Sequence, residues 1–148
     1  MKIFIVGNYN TGVVLTGPDK FSNRLFYFLV NNRQFNVLFV TIINKKLSRG
    51  SLYNRLFGFE ELDKQKRICN IGIIRFFFYC ISEKPNIIHV TSGEHRAIFV
   101  YFYKMFLRYK VLTTFHGTVK DELVSSKLAI RIKGFLLEKL AVDRRSVV

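Results

Sequence analysis

The apolar positions of this chain fall into two patterns. Short unbroken runs over Lys2–Val6, 36–43, 86–90 and 110–115 are rich in β-branched and aromatic residues, which suits strands buried on both faces of a parallel sheet. Longer stretches with helical spacing lie between them. Beyond Gly17-Pro18, Asp19 can cap a helix in which Phe21, Leu25, Phe28 and Leu29 share one face. Residues 68–82 are apolar nearly all round, as a buried helix would be, and Pro85 then starts the chain towards the next strand. Ser92-Gly93-Glu94 can open a further helix running to about Arg108, and Leu128, Ile132, Phe135, Leu136 and Leu140 share a face within 120–141. Residues 145–148 read as the opening of a fifth strand.

Residues 48–67 follow no clean period. The stretch 45–67 is therefore expected to leave the core as an excursion, with seven basic and three acidic residues interleaved with Leu52, Tyr53, Leu56, Phe57 and Phe59.

Strands separated by helices of this length predict βαβ units with right-handed crossovers. The expected fold is α/β, a Rossmann-like three-layer sandwich with a mainly parallel sheet, formed by one domain over 1–148. Ligands of such a domain lie beyond the carboxyl ends of the strands, where the loops after Val6, Val90 and Phe115 converge. An apolar strand at the end of a chain is an exposed edge, so the segment is expected to be the first half of something larger.

Composition agrees with a packed core: 49% of the 148 residues are hydrophobic and 23% charged, which excludes a disordered chain. Twenty-four Lys and Arg against ten Asp and Glu leave a net charge of +14. Such a surface attracts nucleic acid, phosphorylated substrates or an anionic membrane. Cys69 and Cys80 form no Cys-x-x-Cys and have no His/Cys cluster nearby, so buried thiols are expected, with no metal site and no disulfide. The N-terminus offers only Ile3 to Val6 before Gly7, far short of a signal peptide core, and the apolar runs elsewhere are too short for the roughly 20 residues of a membrane span. The expected location is the cytoplasm, either free or at the inner face of the membrane.

Dinucleotide binding is disfavoured, because Gly7, Gly12 and Gly17 are spaced at fives and Thr41-Ile42-Ile43-Asn44 offers no acid for a ribose hydroxyl. No Gly-Lys-Ser/Thr follows a strand, which argues against a P-loop. What remains is a constellation at the strand ends: Gly17, Ser92-Gly93-Glu94-His95 and His116-Gly117-Thr118.

Four segments around these positions resemble the N-terminal half of retaining GT-B glycosyltransferases of the large family four. The loop from Thr11-Gly12 through Gly17-Pro18 to Leu25 is similar to that family's glycine-rich first loop. Pro85-Asn86-Ile87-Ile88-His89-Val90-Thr91-Ser92 resembles its "P-D-I-I-H-x-H-S" strand, and Val111-Leu112-Thr113-Thr114-Phe115-His116-Gly117 its "V-x-T-x-H-G" turn. The stretch from Leu137 to Val148 resembles its "E-x-x-x-x-x-A-D-x-x-x-x-x-S" segment. Departures are Asn86 for Asp, Thr91 for the second His, Pro18 for a second Gly, and Val142 before Asp143.

The resemblance implies half of a GT-B architecture, a transferase of the hexosyltransferase type, and a nucleotide-sugar donor held chiefly by a C-terminal domain or second chain. This chain alone would then bind no cofactor and be inactive, while the full enzyme would serve a glycan or lipid-linked acceptor in envelope polysaccharide synthesis. His116 would lie near the transferred sugar as the catalytic position. Gly17, Ser92, Gly93, Glu94 and Gly117 would line the acceptor cleft. His89, on an apolar strand, reads as a core histidine. Lys45, Lys46, Arg49 and Arg55 would contact an anionic bilayer. The alternative is a non-catalytic basic module for nucleic acid or an anionic membrane; nucleic acid is disfavoured by dispersed charge and the lack of a recognition helix.

Overall fold

The computed structural model describes residues 1–9, 17–42, 51–65, 67–91 and 96–114. In chain order the elements are β1 (Lys2–Val6), α1 (Gly17–Val30), β2 (Asn36–Ile42), α2 (Leu52–Phe57), β3 (Phe59–Asp63), β4 (Ile68–Ile71), α3 (Ile73–Glu83), β5 (Ile87–Val90), α4 (Arg96–Lys104) and β6 (Lys110–Thr113). The six strands form one sheet in the order β3-β4-β2-β1-β5-β6. All neighbours are parallel except β3 and β4. The α/β class and the mainly parallel sheet expected from the sequence are present.

Alternation along the strands divides the core. Ile3 and Ile5 of β1 join Val37 and Phe39 of β2, Ile68 of β4 and Phe26 of α1 on one face. Phe4 and Val6 point the other way, to Phe76 and Cys80 of α3 and to Ala97, Val100 and Tyr103 of α4. This is the period-two pleat, with helices covering both faces. Two tyrosine hydroxyls fasten α4: Tyr103 Oη donates to the Ile73 carbonyl at 3.0 Å and Tyr109 Oη to the Val100 carbonyl at 2.6 Å.

Three expectations are corrected. The stretch 45–67 is not wholly an excursion, because Phe59–Asp63 pairs antiparallel with β4 at the sheet edge, with a register shift between Glu61 and Asp63. Its polar, half-exposed pattern hides a strand whose outer edge faces water. Nor is 68–82 one helix. Ile68–Ile71 is a fully buried strand, and Gly72, extended at φ −73° and ψ 160°, caps α3. A Cβ at Gly72 would stand 2.6 Å from the backbone C and O of Leu56, so the absence of a side chain lets α2 close on this junction. Last, Phe28 points outward, 71% exposed, while Phe26 is fully buried.

The sheet thus holds six strands among the described residues, where the sequence pattern predicts four and part of a fifth. The helix predicted at 120–141 and the strand at 145–148 lie outside them. Both cysteines are buried and free, and burial pushes the Cys69 thiol up to about 12 and the Cys80 thiol higher still.

Candidate functional site

With the antiparallel β3 set aside, the parallel strands run third, second, first, fourth, fifth across the sheet. The order therefore reverses between β1 and β5. In doubly wound sheets the crevice at the carboxyl ends of the two strands flanking such a reversal is where ligands bind.

The residues that close this end are small and hydroxyl-bearing. The Thr91 N–H and hydroxyl both donate to the Val6 carbonyl at 3.0 Å. The Gly7 N–H donates to Val40 O at 3.1 Å, the Tyr9 N–H to Thr41 Oγ1 at 3.2 Å, and the Thr114 N–H to Val90 O at 2.9 Å. Four adjacent strand ends are thereby tied together by short donors. Gly7 sits where nothing larger fits: a Cβ there would meet Thr91 Oγ1 at 2.6 Å and Ser22 Cβ and Oγ at 3.1 Å. The Ser22 hydroxyl donates back to the Pro18 carbonyl at 2.6 Å, which satisfies it within α1. This close approach seats the first turns of α1 against the end of β1.

Next to Ser22, Asn23 is buried and its Oδ1 accepts no hydrogen bond. An unmatched buried acceptor costs about 1–3 kcal/mol. Gly17 opens α1 and is exposed, and a Cβ there would meet nothing within 4 Å. Sterics do not require glycine at this position, and the space over the helix start is open.

His89 belongs to the same end. It pairs with Ile5 and Leu112 across the sheet, its Nε2 lies 2.8 Å from Thr114 Oγ1, and Phe21 of α1 stands edge-on at 6.4 Å. Burial lowers its pKa below 6.5, so near neutral pH the ring is uncharged. The folded form thus takes a proton less readily than the unfolded one, whose pKa stays near 6.5. The stabilisation by neutral His89 is complete above pH 6.5 and drains away as the pH falls below it, levelling off beneath the folded-state value. Urea unfolding at pH 7.5 and pH 5 is expected to show a larger loss for the wild type than for His89→Gln. Equal losses would contradict the assignment.

The opposite end of the sheet is built differently. Glu83 accepts from Lys2 Nζ at 2.9 Å and Arg67 Nη2 at 3.2 Å, and Arg67 Nη1 also donates to Asn36 Oδ1. That end is locked by ion pairs, while the carboxyl end is lined by hydroxyls and an imidazole.

Of the residues singled out by sequence, Gly17 lies at this carboxyl end, and Arg55 is exposed on α2, which closes on Gly72 beyond β4 rather than between β1 and β5. Ser92, Gly93, Glu94, His116, Gly117, Lys45, Lys46 and Arg49 fall outside the described residues. Sequence reasoning gave no site role to Gly7, Ser22, Thr91 and Thr114, whose signal was a small or hydroxyl residue directly after, or packed beside, an apolar run. Among the described residues no His, Cys, Asp and Glu group could hold a metal ion, and no helix is long and apolar enough to cross a membrane. No family model, curated protein or solved structure matches the chain.

Proposed function

We propose that this chain is the acceptor-side half of a glycosyltransferase, moving a sugar from a nucleotide-sugar donor to a glycan or lipid-linked acceptor in envelope polysaccharide synthesis. The observation that carries the reading is the reversal of strand order between β1 and β5. It brings together the strand ends from which three of the family-like segments depart. The glycine-rich loop follows β1, Ser92-Gly93-Glu94 follow Thr91 directly, and His116-Gly117 follow Thr114 by two residues. The open Gly17 start of α1 leaves room for a polar ligand at this end.

In this reading the chain's own contribution is positioning. The imidazole of His116 donates a hydrogen bond to a sugar hydroxyl or orients the acceptor, and Ser92 and Glu94 offer further polar contacts to the acceptor. Orientation of this kind accounts for a large share of the rate of a two-substrate transfer. The donor is held elsewhere, so the chain alone does not turn over.

The locus on both sides of the coding segment is expected to encode a donor-binding partner domain, in the same frame or a neighbouring one. In the enzyme containing both, His116→Ala should cut release of nucleoside diphosphate at least about 100-fold with donor affinity nearly unchanged. Full turnover by His116→Ala, or a locus without such a partner, overturns the reading.

A further inference from the structure

Helices α3 and α4 are apolar on two sides. Their inner residues, Phe76 and Cys80 from α3 and Ala97 and Val100 from α4, fill the core. Ile74, Phe77, Phe78 and Phe102 on their outer side, with the buried Tyr103 and with Phe106 beyond α4, line a groove. The rings interlock across it: Phe77 lies 5.0 Å from Tyr103 and 6.4 Å from Phe106, and Phe102 lies 5.4 Å from Phe106. Phe78, Phe102, Met105 and Phe106 are between 53% and 78% exposed. A helix that is apolar all round is normally covered on both sides, and a contiguous exposed apolar patch of this kind marks a binding surface.

Charge around the patch indicates what covers it. Lys84 at the C-cap of α3, Lys104 at the end of α4 and Arg108 beyond it are all exposed, while Arg75 on α3 turns to the Phe59 ring and the Phe57 carbonyl. Glu83 is the one acid on these two helices and the turns that end them, and Lys2 and Arg67 already engage it. The C-terminal ends of both groove helices therefore carry cations. A second copy docked face to face would oppose cation to cation in a chain of net charge +14.

We infer that the α3–α4 face docks on an anionic lipid bilayer, with Phe78, Phe102, Met105 and Phe106 entering the headgroup zone and Lys104 and Arg108 meeting lipid phosphates. Apolar burial joined to attraction for anionic headgroups is the physics of interfacial binding. The sequence-level expectation of membrane contact rested on Lys45, Lys46, Arg49 and Arg55, of which Arg55 on α2 is described. The surface argued here is a different one, and it does not depend on the transferase reading.

The test is co-sedimentation of the whole chain with vesicles of phosphatidylcholine alone and of phosphatidylcholine with phosphatidylglycerol. Binding is expected to the mixed vesicles and to weaken at least about tenfold in Phe78→Ser/Phe106→Ser, a variant of unchanged charge. Phe28→Ser, an exposed phenylalanine on the other face of the sheet, should bind as wild type does. Phe102→Ser/Met105→Ser carries the same test if the first variant does not fold. Wild-type binding by the groove variants, or no binding to mixed vesicles, overturns the proposal. So does a dimer in vesicle-free solution that the groove substitutions dissolve, which would assign the face to a second copy.

Discussion

Phe26→Ala is expected to lower the unfolding free energy by about 3–5 kcal/mol, the usual cost of emptying a phenylalanine site in a closed core. Phe26 is fully buried and stands edge-on to Phe39 at 5.4 Å. It packs with Ile3, Ile5, Val37 and Ile68, side chains from three strands. Among the described residues α1 is the helix on this face of the sheet, so little can collapse into the void. A loss of that size is a large part of the roughly 5–15 kcal/mol that holds a domain folded. Phe28→Ala, two residues on but exposed, should change stability by no more than about 0.5 kcal/mol. Urea denaturation of the two variants checks the pair, and similar losses for both would mean that α1 is seated by a different face.

Gly7→Ala is expected to cost about 1–3 kcal/mol, the range for forcing extra volume into packed structure. The added methyl would stand 2.6 Å from Thr91 Oγ1 and 3.1 Å from Ser22. Neither neighbour is the free end of a long side chain: Thr91 Oγ1 is bonded to the Val6 carbonyl and Ser22 Oγ to the Pro18 carbonyl. Either α1 moves off the strand end or β1 and β5 part. Thr91→Ala removes the nearest obstacle, and the Val6 carbonyl keeps the Thr91 backbone N–H as donor. The double variant Gly7→Ala/Thr91→Ala should therefore be less destabilised than the sum of the singles, with a coupling of about 0.5–3 kcal/mol. Additive losses in thermal or urea unfolding would show that the two side chains do not compete for one space. Because these three residues meet at the carboxyl ends of β1 and β5, Gly7→Ala should also weaken any ligand bound there.

The candidate site was only partly legible in the sequence. The expectation that ligands gather beyond Val6, Val90 and Phe115 follows from the strand runs and from a general property of doubly wound sheets. That Gly7, Ser22 and Thr91 meet there does not, since they come from β1, α1 and β5. Their contact exists because β1 and β5 are neighbours in the sheet.

By itself the sequence determined the alternation of strands and helices, the strands β1, β2, β5 and β6 to within two residues at each end, and the burial of both cysteines. Unbroken apolar runs and helical spacing are local patterns, which each element carries separately. Only the tertiary structure decided three further points. The apolar stretch after Arg67 is divided at Gly72 into strand and helix, because a short apolar run fits either until its neighbours are known. Phe59–Asp63 is a strand because β4 offers it an edge, although its own pattern is nearly polar. Phe26 rather than Phe28 seats α1, since which phenylalanine turns inward depends on where the helix crosses the sheet. Periodicity records which residues avoid water, but the partner against which they avoid it is set by the order of the strands.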